Sequence, residues 1–511
     1  MQLPSILFKL TKVIFVSFIF LSSLFCSTNP KLLAKLQPYV VSIKSRSVVA
    51  AYGDVSPIAG TGFIVDIKNG YIFSNAHVAA GNKVVPEYVA TLSTGKEIIL
   101  KLIYSDPAAD IAVFQGDLQN IELKNDMPLS DSPVHIGTNV LIIGKNENRH
   151  FSTQTGVVAN TNEIEGHLPQ HAMRISLNMQ GGGSGSLVYD VTSEKVIGII
   201  FASNLSTSAF ALPITYGIDI LKALKTGKEP KKFGLGAILH YAALDDLIKY
   251  YSFSEELAND YAKKYPDSFR RVLKVHSILP DTPAEGVLEV GDCILEIDGK
   301  EIGPNLYKMD KIVNELGEAG KKVELLVVRY GEKLKLTLTP YNMNECQVSR
   351  MIVFGGATFF EADDVMVRRS GLKGKNRVLI TNARLGSSFI EKLPMFPGSN
   401  QALICVEKLG KYDICTLDDV AKAIPSLLEN GRFTIAFRNY GIKIGYDEKV
   451  IFNQGRLLEE INVFEQDGAA EEFKFDKTTH QWSLNKIQPE APKMELDLTP
   501  RADKSSLTMV S

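Results

Sequence analysis

The strongest constraint on the fold is a long succession of short β-branched runs between Leu36 and Ala211, separated by glycine, asparagine and aspartate. The clearest runs cover residues 40–43, 62–65, 140–143 and 195–200. Short strands at such spacing, with turn residues between them, are typical of an all-β sandwich or barrel. Pro213 and Ile214 then open a helical pattern that ends at Gly227. The sequence therefore predicts an all-β domain closed by one helix.

The chain has 511 residues, too many for a single hydrophobic core. A polar joint at 228–232 precedes two stretches, 233–342 and 350–441, that each mix strands with helices. Helices are predicted at 243–251, 308–315 and 416–429, and strands at 378–382 and 433–438. The expected units are 1–29, an amino-terminal segment; 30–227, the all-β domain; 228–345 and 346–484, two α+β modules; and 485–511, a polar, disordered tail.

Composition excludes several classes of function. The chain is 45% apolar and 22% charged, with a net charge of −2 and no lysine- or arginine-rich stripe. These values are those of soluble globular proteins and lack the basic footprint of a nucleic-acid binder. Five cysteines without a CxxC pair, and histidines without metal-ligand spacing, predict neither a metal site nor a cofactor.

The amino terminus carries a targeting pattern. Lys9 and Lys12 precede an apolar stretch at 13–26, which polar residues and Pro30 end. A short positive region followed by an apolar core of this length indicates a signal peptide. An uncleaved membrane tether through residues 6–26 is the alternative. Either reading predicts a periplasmic or otherwise exported protein.

Three motifs in the all-β domain carry residues of nucleophilic catalysis. His77 follows an apolar strand, Asp110 precedes another, and Ser184 lies in a glycine run, with gaps of 33 and 74 residues. Each alone is more often structural: a hydrogen-bonding histidine, a turn aspartate or a flexible loop. Together they match a chemical need, since a serine becomes nucleophilic only when an imidazole accepts its proton and a carboxylate orients that imidazole.

The trypsin-like core of the HtrA/Deg (DegP-like) proteases is similar to five segments of this chain: 60–64 (Gly-Thr-Gly-Phe-Ile), 74–78 (Ser-Asn-Ala-His-Val), 109–113 (Ala-Asp-Ile-Ala-Val), 182–186 (Gly-Gly-Ser-Gly-Ser) and 210–214 (Phe-Ala-Leu-Pro-Ile). The resemblance implies a multidomain protein with an all-β trypsin-like double β-barrel followed by two α+β PDZ-like domains. It makes His77 the general base, Asp110 its orienting partner and Ser184 the nucleophile. It also implies a homotrimer or a multiple of trimers.

The serine loop differs from the common Gly-Asn-Ser-Gly-Gly form of this family. Glycines on both sides of Ser184 allow a sharp turn that directs backbone N–H groups at a developing oxyanion, and the expected donors belong to Ser184 and to Gly182 or Gly183. In trypsin-like folds the residue six before the serine lies at the base of the specificity pocket. A small or medium aliphatic residue is therefore expected before the scissile bond, because the expected pocket residues are Asn178, Ile199, Ile200 and Phe201.

Residues 272–299 are similar to the core of a PDZ domain, and the resemblance implies a short helix from Pro283–Ala284 and a Gly291-Asp292 turn into a strand at 294–297. The preceding stretch Phe233-Gly234-Leu235-Gly236 resembles the loop that binds a ligand's terminal carboxylate, since successive N–H groups in a tight glycine turn form an anion site. Hydrophobic carboxyl-terminal peptides are the expected ligands. The second module matches less well, with 353–357 as its corresponding loop, and both a peptide-binding and a scaffold function remain compatible with it.

The leading hypothesis is an exported, ATP-independent serine endoprotease that cleaves unfolded or damaged proteins through an acyl-enzyme. The alternative is a catalytically silent chaperone (holdase) or peptide-binding scaffold on the same fold. A narrowly specific processing protease differs only in substrate range. A disulfide between Cys405 and Cys415 and two free thiols are both compatible with the sequence.

Overall fold

The computed structural model describes residues 30–488 except 51–57, 80–82, 86, 120, 146–150, 165–170, 178, 180, 205–206, 347, 363–371, 373–375, 394–401, 445–448 and 464–468. The predicted signal segment or membrane tether lies outside these residues. Among the residues that are described, no helix is long and apolar enough to cross a membrane.

Two closed six-stranded barrels form the first domain, as the sequence predicts. The first barrel has the strand order β1-β3-β4-β8-β7-β6 and the second β10-β11-β14-β13-β12-β9. The first contains β1 (Val40–Ser45), β3 (Ile58–Asp66), β4 (Tyr71–Ser74), β6 (Tyr88–Thr91), β7 (Glu97–Asp106) and β8 (Ile111–Gly116), beside a pair formed by β2 (Val49–Ala50) and β5 (Lys83–Val84). The second contains β9 (Asn139–Lys145), β10 (Phe151–Glu163), β11 (Ala172–Ser176), β12 (Leu187–Asp190), β13 (Lys195–Ser203) and β14 (Ser208–Pro213).

Alternation along the strands builds three apolar layers. In β3 and β4, Ile64 and Ile72 fill the first barrel, whereas Phe63 and Phe73 point to the other side, where they meet the second barrel. Leu141 of β9 joins this layer between the barrels, although its neighbours point into the second barrel. Because successive side chains of a strand face opposite sides, one strand serves two cores. The barrels are therefore held together along the junction at which the motif residues lie.

Helices flank the barrels. α1 (Pro30–Leu36) and a 3-10 turn (Gln37–Tyr39) precede β1, α2 (Ala76–Ala79) follows β4, and α3 (Ile214–Lys225) follows β14. Pro213 occupies the N-cap of α3, as the sequence predicts. The buried face of α3 includes Ile214, Tyr216 and Ile220, which pack into the layer between the barrels.

The second domain is an antiparallel sheet of order β16-β17-β18-β20-β21 with helices packed on it. Its strands are β15 (Phe233–Gly234), β16 (Ala237–Ala243), β17 (Arg271–Ile278), β18 (Cys293–Ile297), β19 (Lys300–Glu301), β20 (Val323–Arg329), β21 (Glu332–Leu338) and β22 (Tyr341–Asn342); its helices are α4 (Leu244–Tyr250), α5 (Glu255–Lys264), the 3-10 turn Pro266–Ser268, α6 (Leu306–Glu318) and the 3-10 turn Met343–Cys346. The predicted short helix at Pro283–Ala284 is wrong, because the chain forms only turns there. Helix α5 was not predicted.

The third domain is built on a nine-stranded sheet with the path β29-β28-β26-β25-β24-β23-β30-β31, and β27 pairs with β26 beside it. Its strands are β23 (Arg350–Phe354), β24 (Ala357–Glu361), β25 (Val378–Ala383), β26 (Ala402–Leu409), β27 (Tyr412–Asp413), β28 (Arg432–Ile444), β29 (Lys449–Asn462), β30 (Ala470–Asp476) and β31 (Gln481–Ile487); its helices are α7 (Ser388–Lys392) and α8 (Leu417–Asn430). Because β31 continues to Ile487, the ordered chain passes the tail boundary predicted at 485. Cys405 is buried and Cys415 exposed, and both thiols are free.

Candidate active site

His77 and Asp110 form a close pair at the junction of the barrels. Two carboxylate oxygens of Asp110 lie 2.8 and 3.0 Å from His77 Nδ1, and one of them also accepts the backbone N–H of His77 at 2.9 Å. The Asp110 side chain is 6% exposed and that of His77 48%. Loss of solvation lowers the pKa of His77, but the charge of Asp110 and its hydrogen bond raise that pKa by more, so it lies above its usual value. The carboxylate can therefore hold the Nδ1–H tautomer and stabilise an imidazolium.

The turn that carries Asp110 is fixed by two other polar side chains. The buried carboxylate of Asp106 accepts the N–H groups of Ala108 and Ala109, each at 3.0 Å, which closes an Asx turn. The Asn75 amide donates to the backbone carbonyl of Asp110 at 2.9 Å. Asp110 itself has a φ of 53°, a left-handed conformation that a non-glycine residue adopts only when its surroundings impose it.

Thr61 holds the loop of Ser184 by its backbone and its side chain. Its N–H donates to the carbonyl of Ser184 at 2.8 Å, and its hydroxyl donates to the carbonyl of Gly182 at 3.1 Å. The remaining carbonyl, that of Gly183, accepts the N–H of Ser186 at 3.0 Å. All three carbonyls of the loop therefore accept hydrogen bonds from the protein. No acceptor among the described residues meets the N–H of Gly182, Gly183 or Ser184, so the expected oxyanion donors are unoccupied by the protein.

Close packing against β3 explains one of the glycines. Gly185 has a φ of 86°, and a Cβ there would lie 1.8 Å from the carbonyl oxygen of Thr61. Gly60 brings the two halves of the site together, because a Cβ on it would lie 2.6 Å from the side chain of Val78 and 3.3 Å from the carbonyl of Ser184. Val78 follows His77 in α2. The serine loop and this helix therefore both approach the space that a side chain at position 60 would occupy.

The hydroxyl of Ser184 makes no hydrogen bond to His77 in the described part of the chain. The structure thus joins the histidine to the aspartate and docks the serine loop beside them, but leaves the nucleophile–base contact open. Such contacts are often long in an unliganded enzyme and shorten when substrate binds.

The expected specificity pocket remains a prediction. Asn178 lies outside the described residues. Ile199 and Phe201 are buried in the layer between the barrels, and Ile200 is buried in the core of the second barrel.

The Phe233–Gly236 stretch lies at the open edge of the second domain. Gly236 has a φ of 88°, and its carbonyl accepts the N–H of Leu279 at 2.8 Å. No acceptor among the described residues meets the N–H of Leu235 or Gly236, which suits a carboxylate site. The stretch borders a cavity of about 50 Å³ against α6, lined by Leu239, Met309 and Val313 among others. Because β16 pairs only with β17 in the described part of the chain, a peptide could add to its other edge.

The corresponding edge of the third domain is occupied by the protein itself. Its expected loop, 353–357, is a tight hairpin at Gly355 and Gly356 that joins β23 to β24. β24 pairs with β25 on one side and with β23 on the other. The position at which a peptide strand would add to β24 is therefore filled by β23.

The sequence interpretation missed several residues that shape the site, above all Thr61, Asn75 and Asp106. The segments 60–64 and 74–78 carried the family resemblance, yet the functions of Thr61 and Asn75 follow only from their contacts. In the segment Asp106-Pro107-Ala108-Ala109, small residues follow an aspartate at the second and third positions. This pattern indicates an Asx turn. Among the described residues, no group of three potential metal ligands comes together.

Two protein-family models match the chain. Residues 60–199 match the trypsin-like peptidase domain, and residues 274–329 match the PDZ domain. Together with the two barrels and the His77–Asp110 pair, these matches define a trypsin-like serine peptidase fold joined to a PDZ domain. The two matches, in this order along the chain, support the predicted resemblance to the HtrA proteases.

Proteins of other organisms are similar to parts of this chain. The pro-apoptotic serine protease NMA111 of Lodderomyces elongisporus is 23% identical over 78% of this chain, and that of Saccharomyces cerevisiae 24% identical over 78%. Each match covers 40% of the yeast protein, so this chain spans less than half the length of these relatives. An uncharacterized protein of Rickettsia prowazekii is 28% identical over 37% of this chain and 98% of its own length.

Solved structures that resemble the chain include the HtrA-type protease AlgW with a tripeptide and the serine endoprotease from Yersinia pestis. The first has a TM-score of 0.44 and 23% identity, and covers 62% of this chain and 97% of its own. The second has a TM-score of 0.41 and 20% identity, and covers 62% of this chain and 98% of its own.

Proposed function

We propose that this protein is a serine endopeptidase that cleaves unfolded or damaged polypeptides through an acyl-enzyme. The observation that carries the proposal is the pairing of His77 Nδ1 with Asp110 at 2.8 Å beside a serine loop whose carbonyls all accept hydrogen bonds from the protein. The His77–Asp110 pair supplies an oriented base, and the serine loop leaves its backbone N–H groups available for a developing oxyanion.

In the proposed reaction, Ser184 Oγ attacks the scissile carbonyl carbon while its proton passes to His77 Nε2. Asp110 holds the ring through Nδ1–H and stabilises the imidazolium that forms. The carbonyl oxygen becomes an oxyanion, and the N–H groups of the 182–184 loop stabilise it. The imidazolium then protonates the leaving amine, and water, activated by the same histidine, releases the acyl group from the serine.

The second domain is proposed to bind the carboxyl termini of substrates or activators. The unpartnered N–H groups of Leu235 and Gly236 suit a carboxylate, and the small apolar cavity beside them suits one aliphatic terminal side chain. Fluorescence anisotropy with a labelled peptide ending in valine tests this, and the same peptide with a carboxamide terminus is the control. Equal binding of the two peptides would contradict the carboxylate site.

The peptidase proposal is tested by casein cleavage with the full chain and its Ser184→Ala variant. We expect cleavage by the parent alone, together with covalent labelling of the parent by a fluorophosphonate probe. Labelling that persists in the Ser184→Ala variant would assign the nucleophile elsewhere.

The rival function is a silent chaperone or peptide-binding scaffold, and the missing Ser184–His77 hydrogen bond favours it. Both proteins would then suppress aggregation of an unfolded client such as reduced insulin equally, and neither would cleave it. A parent that degrades the client, beside a Ser184→Ala variant that only holds it, excludes this rival.

Export to the periplasm or another compartment outside the cytosol is proposed from residues 9–26, where two lysines precede an apolar stretch. Amino-terminal sequencing of the mature protein distinguishes cleavage near residue 29 from retention as a membrane tether. A homotrimer, or a multiple of trimers, is proposed from the family resemblance, and light scattering of the purified protein measures it.

A further inference from the structure

A large cavity separates the first barrel from the carboxyl-terminal hairpin of the third domain. Its volume is about 1320 Å³, far more than the cavity beside the Phe233–Gly236 stretch. One wall is β7 and its neighbours, and the other is the β30–β31 hairpin. The cavity also borders Gly70 and Gly116. These lie at the ends of β4 and β8 away from His77 and Asp110, so the cavity is distinct from the catalytic site.

The hairpin turns an apolar face towards this cavity. Cross-strand pairs place Phe473 opposite Leu484 and Phe475 opposite Trp482, and all four side chains line the cavity. Leu484 is 51% exposed, and across the cavity Ile99 of β7 is 67% exposed. Exposed aliphatic side chains on two facing walls are typical of a binding site, because an occupant removes both from water.

The two walls are held in place by an apolar interface next to the cavity. Val84 of β5 packs in one cluster with Phe473 and Phe360 of the third domain, and Val49 and Trp482 border this cluster. The cavity therefore continues an interface that the two domains already share. It opens where β7 and the hairpin diverge.

Both walls also present unpaired strand edges. Among the described residues, β31 pairs with β30 alone and ends the nine-stranded sheet. β7 pairs with β6 only through residues 97–100, so residues 101–104 have no strand partner on that side in the described chain. Four consecutive residues of β31 and seven of β7 line the cavity, which brings backbone donors and acceptors as well as side chains to its surface. An extended polypeptide is the ligand that uses such an edge.

The charges around the cavity are mixed. Lys101 and Lys477 lie among its lining residues with Glu229 and Asp117. This balance gives no strong attraction for an anionic headgroup, whereas backbone pairing and apolar contacts need no net charge.

We propose that this cavity is a second polypeptide-binding site, which takes an extended apolar segment of the substrate by strand addition along β31. The inference rests on the proposed peptidase function, since it assigns to the same substrates a point of attachment away from the scissile bond. In the third domain the edge of β24 is already filled by β23, so β31 is the free edge of this sheet on that side.

The chain contains a single tryptophan, Trp482, and it lines the cavity. Its fluorescence therefore reports this site alone. The probe is a tryptophan-free hexapeptide of alternating leucine and serine, acetylated and amidated so that the carboxylate site of the second domain cannot bind it. In the full-length Ser184→Ala protein we expect a saturable change of Trp482 emission.

Leu484→Lys and, on the opposite wall, Ile99→Lys are each expected to weaken this binding roughly tenfold or more, because each removes an apolar contact from an already exposed position. The matched control is Leu458→Lys: Leu458 is 65% exposed on β29 at the other end of the same sheet, and the substitution should leave the titration unchanged. The proposal is overturned if Trp482 does not respond to the peptide, or if both cavity variants bind it as the parent does.

Casein cleavage by the protein with Ser184 intact separates this proposal from the peptidase proposal. Cleavage without a Trp482 response would contradict the cavity site and support the peptidase proposal. A saturable Trp482 response in a protein that does not cleave casein would support the cavity site and contradict the peptidase proposal.

Discussion

Thr61→Val is the substitution that most directly tests how the serine loop is held. The threonine is fully buried, and its hydroxyl donates to the Gly182 carbonyl at 3.1 Å and accepts the N–H of Lys145 at 2.8 Å. Valine keeps the shape but removes both hydrogen bonds. Each buried polar group left without a partner costs about 1–3 kcal/mol, so we expect the free energy of unfolding to fall by about 2–4 kcal/mol.

The catalytic effect of Thr61→Val follows from peptide geometry. The Gly182 carbonyl and the Gly183 N–H belong to one peptide plane, so the Thr61 hydroxyl fixes the direction of that N–H. Without it the plane can rotate, and an oxyanion donor is lost or misdirected. Losing one donor lowers kcat by about 10²- to 10³-fold, and we expect a fall of about 10²-fold with little change in KM.

The matched control is Thr61→Ser, which retains the hydroxyl and loses only a methyl group. Peptide hydrolysis at 25 °C gives kcat and KM, and urea unfolding gives the free energy, so the two effects are measured separately. If Thr61→Val keeps a kcat close to that of Thr61→Ser while both are folded, the hydroxyl does not hold the oxyanion loop and the argument fails.

Three further predictions concern titration and reactivity. The raised pKa of His77 should place the acid limb of kcat/KM above about 6.5, and Asp110→Asn should move that limb to lower pH and reduce kcat by about 10⁴-fold; an unmoved limb would show that the carboxylate does not set it. Burial lowers the pKa of His171 to about 4, so stability present above about pH 6.5 should decrease by about 3 kcal/mol as the pH falls to 4; urea unfolding of His171→Gln should lack this loss. Burial raises the pKa of Cys405 to about 12, so in the native protein Ellman's reagent should modify the exposed Cys415 and leave Cys405 intact, which mass spectrometry checks.

Local sequence signals were sufficient to predict a helix whose two ends are marked by capping residues. Helix α8 begins after Thr416, whose hydroxyl accepts the N–H of Asp419 while the Asp419 carboxylate accepts the N–H of Thr416, and it ends at Gly431 in the left-handed conformation. These caps are visible in the sequence, and the helix was predicted nearly to the residue. Helix α5 carried comparable signals in Ser254 and its first-turn glutamates, but its polar composition concealed the apolar stripe.

The His77–Asp110 pair could be predicted from the sequence because its residue types are rare in combination, whereas the residues that support it could not. Thr61 and Ser184 are far apart in the chain, and only the closing of the first barrel beside the second brings the threonine hydroxyl to the Gly182 carbonyl. The absence of a Ser184–His77 hydrogen bond among the described residues likewise depends on rotamers and loop position. Motif spacing therefore predicts the participants in the reaction, while the geometry of the resting site depends on tertiary packing.

The third domain resembles the second in outline, but its sheet ends at a different strand. In the second domain β16 is an edge strand beside a small apolar cavity, so a peptide can extend the sheet. In the third domain β24 holds the equivalent place, but β23, β30 and β31 continue the sheet beyond it. Those strands come from both ends of the domain, and no local pattern signals their pairing. The strand addition proposed for the second domain is thereby blocked at β24, and the sheet ends instead at β31, where it meets the cavity against the first barrel.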